Sequence, residues 1–137
     1  MKKTVLVLLM VLLSVMLVVS CKDSPKAEIK WDDLLSWWEQ SYNNGYVRIK
    51  FKDDNTVILD ERKDGNDSTG VTMSATLKDN VLTLTSTDPE GGATSATYTY
   101  KLSFDGDKLV LTQTSEESMY SKYSDQKTFT MEKKNLG

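Results

Sequence analysis

From residue 37 to residue 133 the chain runs in short segments where apolar and polar positions alternate, separated by turn-forming residues. In residues 46–52, Val47, Ile49 and Phe51 fall on one side and Arg48, Lys50 and Lys52 on the other, the period of two of a half-buried strand. Val71, Met73, Ala75 and Leu77 share a face in residues 71–77, and Ala96, Tyr98, Tyr100, Leu102 and Phe104 share one in residues 96–104. Phe129 and Met131 face inward in residues 127–133, and residues 56–62, 81–87 and 108–114 complete the series. Residues 34–42 fit either helical spacing, through Leu34, Leu35, Trp38 and Tyr42, or strand spacing, through Trp38, Gln40 and Tyr42. The Asn43-Asn44-Gly45 run that follows supplies positive-φ residues for a tight hairpin turn and favours the strand. Asp53-Asn55, Lys78-Asn80 and Asp105-Gly106-Asp107 predict further tight turns, while residues 63–70, 88–92 and 115–126 read as looser polar loops.

Counted from Trp37, this makes eight strands in simple succession, with no segment between them long enough for a parallel crossover helix. Closing such a sheet on itself removes its exposed edges. The expected fold is therefore all-β, an eight-stranded antiparallel up-and-down barrel, with a β-sandwich as the alternative because both have one inner and one outer face.

Ahead of the strands, Lys2 and Lys3 precede an apolar run over residues 5–13 that resumes over 15–19 and stops at Ser20-Cys21. A basic start followed by an apolar stretch shorter than a spanning helix is a secretory address. Val18-Val19-Ser20-Cys21 resembles the lipobox of bacterial lipoproteins. The resemblance implies cleavage between Ser20 and Cys21 and a diacylglyceryl thioether on Cys21, which holds the protein to a membrane; an ordinary signal peptide or an uncleaved anchor helix are the alternatives. Two acyl chains suffice for stable attachment where one does not. The organisation expected is a signal peptide over 1–20, a lipidated tether over 21–33 and the barrel over 34–137. The tether's polar part, residues 22–30, reaches roughly 30 Å at about 3.3 Å per residue, with Asp32 or Asp33 able to cap a helical turn after it. Lys22 after Cys21, where an aspartate would signal inner-membrane retention, implies the outer membrane in a diderm cell.

The barrel residues also resemble lipocalin-like domains. Leu34-Leu35-Ser36-Trp37-Trp38-Glu39 is similar to their opening, with Ser36 where glycine is usual, and Phe51-Lys52-Asp53-Asp54-Asn55-Thr56-Val57 to their next hairpin, with Asn55 where glycine is usual. Asp79-Asn80-Val81-Leu82-Thr83-Leu84, Gly106-Asp107-Lys108-Leu109-Val110-Leu111 and Thr128-Phe129 follow the later pattern of turn, leucine and alternating threonine. The resemblance implies the barrel and a small apolar ligand, and implies no enzymatic activity.

Composition narrows the chemistry. Loss of Lys2 and Lys3 with the leader lowers the 17 basic residues by two against 20 acidic ones, moving the net charge from −3 to −5. An acidic chain lacks the basic footprint that nucleic acid requires. There is no histidine, and Cys21 is the sole cysteine, so the commonest general base is missing, and acylation of Cys21 leaves neither a disulfide nor a thiolate nucleophile. Ser124 and Lys127 have the spacing of a serine acyl-enzyme pair but lie in a polar loop entering a strand rather than at a buried helix start. Adjacent carboxylates at Asp32-Asp33, Asp53-Asp54, Asp60-Glu61 and Glu116-Glu117 read as solvated surface, because neighbours on a strand point to opposite faces. Asp64-Gly65-Asn66-Asp67-Ser68 and Asp105-Gly106-Asp107 lack the glycine and glutamate positions of an EF-hand loop and read as turns. No metal, cofactor or catalytic residue is expected.

Trp38, Tyr42, Phe51, Tyr98, Tyr100, Phe104 and Phe129 are the candidate ligand-lining residues, or else the filling of the barrel. Tyr120 and Tyr123, with Met119, suggest a partner-contact surface on a mobile polar loop. The expected function is a non-enzymatic envelope binding module for a small apolar ligand. The alternative is an envelope interaction protein or inhibitor acting through residues 63–70 and 115–126.

Overall fold

In the computed structural model, which describes residues 28–86 and 96–136, the alternating segments form β1 (Ser36–Tyr42), β2 (Gly45–Phe51), β3 (Thr56–Lys63), β4 (Asn66–Lys78), β5 (Val81–Thr85), β6 (Thr97–Asp105), β7 (Lys108–Gln113) and β8 (Thr128–Lys134). The leader, with Ser20 and Cys21, lies outside the described residues. Each strand pairs antiparallel with the next, and β8 returns to β1 through Trp37↔Lys134, Trp38↔Lys133 and Glu39↔Glu132, so the sheet is a closed barrel. That last ladder excludes the sandwich, which would leave β1 and β8 as edges.

The inner face is the alternation made solid. Val47, Ile49, Val57, Leu82, Leu84, Tyr100, Leu109, Leu111, Phe129 and Met131 are each fully buried in one continuous core. A single cysteine allows no internal disulfide, so burial of these side chains, at about 25 cal/mol per Å² of apolar surface, is the main favourable term.

The turns divide the barrel into two ends. At the lower end, Asp79 and Asn80 are both left-handed (φ 52° and 60°), and Gly106 (φ 62°) stands first of the two residues between Asp105 and Lys108, as type I′ and II′ hairpins demand. Asn55, at the position where the family resemblance has glycine, adopts φ 59°, which asparagine tolerates better than other side chains. At the upper end the β3–β4 connection corrects the expected polar loop over 63–70. Asp64 (φ 52°) and Gly65 (φ 81°) form a two-residue turn, and β4 pairs onward from Asn66 against Lys63, with a bulge opposite Asp60. Lys63, Asp64, Asn66 and Asp67 at this hairpin tip are all exposed, so it offers no apolar alternation to read. Asn43 and Asn44 turn the chain without positive φ, contrary to expectation. Gly45 instead begins β2, where a Cβ would collide with the Arg62 carbonyl.

The lower end is closed by a single helical turn, α1 (Trp31–Leu34), whose Lys30 N–H donates to the Asp33 carboxylate at 3.0 Å. Leu34 is fully buried at the barrel base, and its carbonyl accepts the Trp38 indole N–H at 2.8 Å. Trp31 packs edge-on to Phe51 (5.3 Å) and donates to the Lys52 carbonyl at 2.7 Å. The chain ahead of it crosses the base, with Ile29 buried and its N–H bound to the Asn80 side chain at 2.8 Å. The packed unit thus takes in residues 29–33, which the polar pattern assigned to the tether.

Leu34→Ala is expected to destabilise the domain by about 2–5 kcal/mol through the cavity left at the base, whereas Leu136→Ala, at an exposed position, should stay within about 0.5 kcal/mol of the parent. Urea unfolding followed by tryptophan fluorescence measures both.

Candidate functional site at the upper mouth

The connection between β7 and β8, residues 114–127, folds over the upper mouth as a lid. It was expected to be mobile and to present Met119, Tyr120 and Tyr123 outward. Instead Met119 and Tyr120 point into the barrel and are buried. Two apolar side chains in the middle of a polar stretch seat it, because the upper mouth offers them apolar surface to cover. The remainder of the lid is polar because it faces water.

Side-chain hydrogen bonds fasten the lid at several points. The Met119 N–H donates to the Tyr100 hydroxyl at 2.9 Å, and the Tyr120 hydroxyl donates to the Arg48 carbonyl at 2.7 Å while its ring meets Phe129 edge-on at 5.2 Å. Glu61 accepts the Ser121 hydroxyl (2.9 Å) and the Lys122 N–H (3.0 Å), tying β3 to the 3-10 turn Ser121–Tyr123. Tyr123 stacks on Tyr42 (centroids 4.4 Å apart, planes at 15°) and donates to the Arg62 carbonyl at 2.6 Å. Lys63 lies over the Tyr123 ring and donates to the Lys122 carbonyl at 3.1 Å. Gln126 accepts the Tyr42 hydroxyl and donates to Gln40.

Between the lid and the inner faces of β3, β4 and β6 remains a cleft of about 230 Å³. Leu59, Val71, Met73, Tyr98 and Met119 give it an apolar wall, and Glu61, Ser86, Tyr120 and Ser121 its polar groups. Val71, an inward position by strand parity, is 50% exposed because it opens onto this cleft. Ser86 is held in place by reciprocal bonds with Ala96, whose N–H donates to the Ser86 hydroxyl at 3.0 Å. Larger hollows, of about 500 Å³ beside the chain crossing the base and about 460 Å³ between the tips of the β1–β2 and β3–β4 hairpins, lie away from this mouth cleft.

The seven aromatic residues singled out from the sequence do not converge. Trp38 and Phe104 meet at the lower end, 6.0 Å apart and tilted, with Phe104 40% exposed. Phe51 lies under Trp31, Phe129 under Tyr120, and Tyr100 fills the axis below Met119. Tyr42 supports the lid from the rim, and Tyr98 alone of the seven lines the cleft. Asp60-Glu61 was read as solvated surface; Glu61 is in fact 6% exposed and faces inward. The signal was present, since Val57, Leu59 and Glu61 share one parity of β3. Ser124 and Lys127 both lie exposed on the lid.

Outside the mouth, Arg48 bridges Glu39 and Asp60 across β1, β2 and β3 on the barrel's outer wall and lies over the Tyr46 ring at 3.7 Å. Burial pushes Glu39 upward, but hydrogen bonds from Ser41 and Arg48 and the guanidinium charge outweigh it and hold the carboxyl below its ordinary range. This cluster braces the wall; its members are turned away from the cleft.

Five of the six tyrosines are held protonated by the fold. Burial raises Tyr42 to about 12 and pushes Tyr100 and Tyr46 upward. Burial raises Tyr120 well above the ordinary value, with the Tyr100, Glu61 and Asp60 charges adding to it, and raises Tyr123 together with the Asp64 charge.

No family model, curated protein or solved structure matches the chain.

The raised tyrosines fix the alkaline limit of the fold. Between pH about 10 and about 12 the folded chain holds protons that the unfolded chain releases, so stability is fully present below about pH 10 and lost as pH rises through the folded values. Phenolate absorbance should therefore appear together with loss of the near-ultraviolet circular dichroism. Tyr120→Phe, which leaves the Arg48 carbonyl without its phenol donor, should lower stability by about 0.5–1.5 kcal/mol and selectively speed hydrogen exchange of the Met119 amide.

Proposed function

We propose that the protein is a lipid-anchored envelope lipoprotein, attached through Cys21, that binds a small apolar group at the upper mouth of its barrel and performs no catalysis. The observation that carries the binding reading is the half-exposed Val71 opening onto an apolar cleft beside a closely packed core. Such a cleft retains binding free energy, because apolar surface left against water gains when a ligand covers it. At about 230 Å³ it is smaller than the 300–1,000 Å³ usual for drug-sized ligands. The occupant is therefore a short chain or a single ring, seated under the lid rather than along the filled axis.

The lipoprotein half of the reading rests on the basic and apolar leader ending at Ser20-Cys21 and on its resemblance to a lipobox. The lipocalin-like resemblance of residues 34–133 is consistent with a ligand at the barrel mouth. A second reading, an envelope interaction protein, draws support from Lys63 bonding to Lys122 and Tyr123 to Arg62. These contacts join the β3–β4 hairpin and the lid into one braced surface that needs little ordering to dock.

Two measurements test the proposal. Intact-mass analysis of the natively extracted protein should show a chain beginning at a diacylglyceryl-modified Cys21; an unmodified thiol or a retained leader would overturn the anchor. Hexanol added to the folded domain should shift the NMR signals of Val71, Met73 and Met119. Val71→Trp, which fills the cleft from an exposed position, should weaken this binding by at least about tenfold while leaving the melting temperature near that of the parent. Shifts confined to the lower end, or binding unchanged in Val71→Trp, would overturn the mouth as the site.

A further inference from the structure

Trp37 and Trp38 are neighbours on β1 and so face opposite ways: Trp38 is buried inside the barrel, while Trp37 lies half-buried on the outer wall. The strands on either side each place a lysine directly across from this outer indole, Lys50 on β2 and Lys134 on β8, at the range where cross-strand side chains meet. The Lys50 ammonium stands 5.4 Å from the centre of the ring. Beside the indole is a hollow of about 350 Å³, lined by Ser36, Trp37, Lys50, Lys134, Asn135 and the exposed Leu136.

This lining carries two cations and no carboxylate, in a chain with 20 acidic residues against 17 basic ones. Other cations on β2 are engaged: Arg48 bridges Glu39 and Asp60, and Lys52 lies 3.6 Å from Asp54. Among the described residues Lys50 forms no ion pair, and its contact is the indole. Lys134 has Glu132 at 4.0 Å, an exposed carboxylate that Lys108 approaches more closely, at 3.6 Å. Two ammonium groups flanking an indole set a positive field over an apolar face. An oxyanion placed there gains from both, and a flat ring attached to it covers Trp37 and Leu136 in place of water.

We propose that this hollow is a second binding site, on the outer wall, for small aromatic carboxylates. It rests on none of the argument for the mouth, whose cleft lies at the other end of the barrel. The ring and the charge contribute separately. An acid and its amide share the ring, so the difference between them isolates the two lysines, and an acid without a ring isolates the indole and Leu136.

The experiment titrates 2-naphthoate, its uncharged amide 2-naphthamide, and acetate into the full chain at pH 7, with affinities read from the NMR signals of the Trp37 indole N–H and the Leu136 methyl groups. At about 0.05 M salt the aromatic acid should bind about fivefold more tightly than the amide, the scale of two exposed ion pairs, and at least about tenfold more tightly than acetate. Raising the salt to about 0.5 M should bring acid and amide to within about twofold of each other, because charges at a surface are screened. Replacing both lysines, Lys50→Met with Lys134→Met, should do the same at low salt. Equal or tighter binding of the amide to the parent overturns the proposal, as does an acid preference that survives in the double variant, or shifts at Val71 and Met119 in place of Trp37 and Leu136. Absence of any shift at Trp37 with all three probes overturns it as well. Where the double variant fails to fold, the acid–amide comparison and the salt series on the parent decide the matter. The mouth is tested by hexanol at Val71 and stands or falls separately.

Discussion

A closed sheet has no edges, but it has two open ends, and in a domain this small the apolar interior must be shielded from water at both. That constraint accounts for most of what is not strand in this molecule. Eight strands pair β1 to β8 and back again, and their inward side chains meet across the axis. Without a cover, the outermost layer of that core at each rim would stay wet. Below, four residues of helix and the chain ahead of them supply Leu34 and Ile29; above, the lid supplies Met119 and Tyr120.

The two closures are held differently. At the base the polar partners are an indole on a carbonyl, an asparagine on a backbone amide and a local helix cap, all serving a short segment that packs chiefly through Leu34. The lid is longer and more polar, and its bonds come from several strands: Tyr100 and Tyr42 reach up to it, while Tyr120 and Tyr123 reach back to the Arg48 and Arg62 carbonyls. Tyrosine suits this role because its ring belongs to the core and its hydroxyl finds a polar partner at the surface of that core. Burial of those phenols is what raises their ionisation range, so the device that closes the mouth also sets the alkaline limit of the fold.

The barrel was legible in the sequence because a period of two repeated eight times carries its own redundancy. Val47, Ile49 and Phe51, or Phe129 and Met131, are assigned to the inside without knowledge of any partner strand, and the observed pairing agrees. What happens at the ends was less legible, because no period operates there. The β3–β4 hairpin tip was read as a loop since both of its faces are wet and polar; Asp64-Gly65 was the one local sign of a turn. Tyr120 was placed outside because its neighbours are polar, although its position is decided by Arg48 and Phe129, distant in sequence. The aromatic residues were grouped by type as a pocket, and the barrel's length divides them: Phe104 and Trp38 at one end, Tyr42 and Tyr98 toward the other. Glu61 could have been found by parity, but a charge at an inward position looks like an error in the pattern until the lid that binds it is known.

The direction of the chain gives the mouth its meaning. Ile29 and α1 close the base at the lower end, while the cleft and lid lie at the upper one. A small apolar group arriving from water gains most where a wet valine lies beside a fastened lid, because no core side chain need move to admit it. The entry of the described chain at Ile29 and the cleft therefore stand at opposite ends of the barrel, with the packed axis between them as the structural element on which both closures depend.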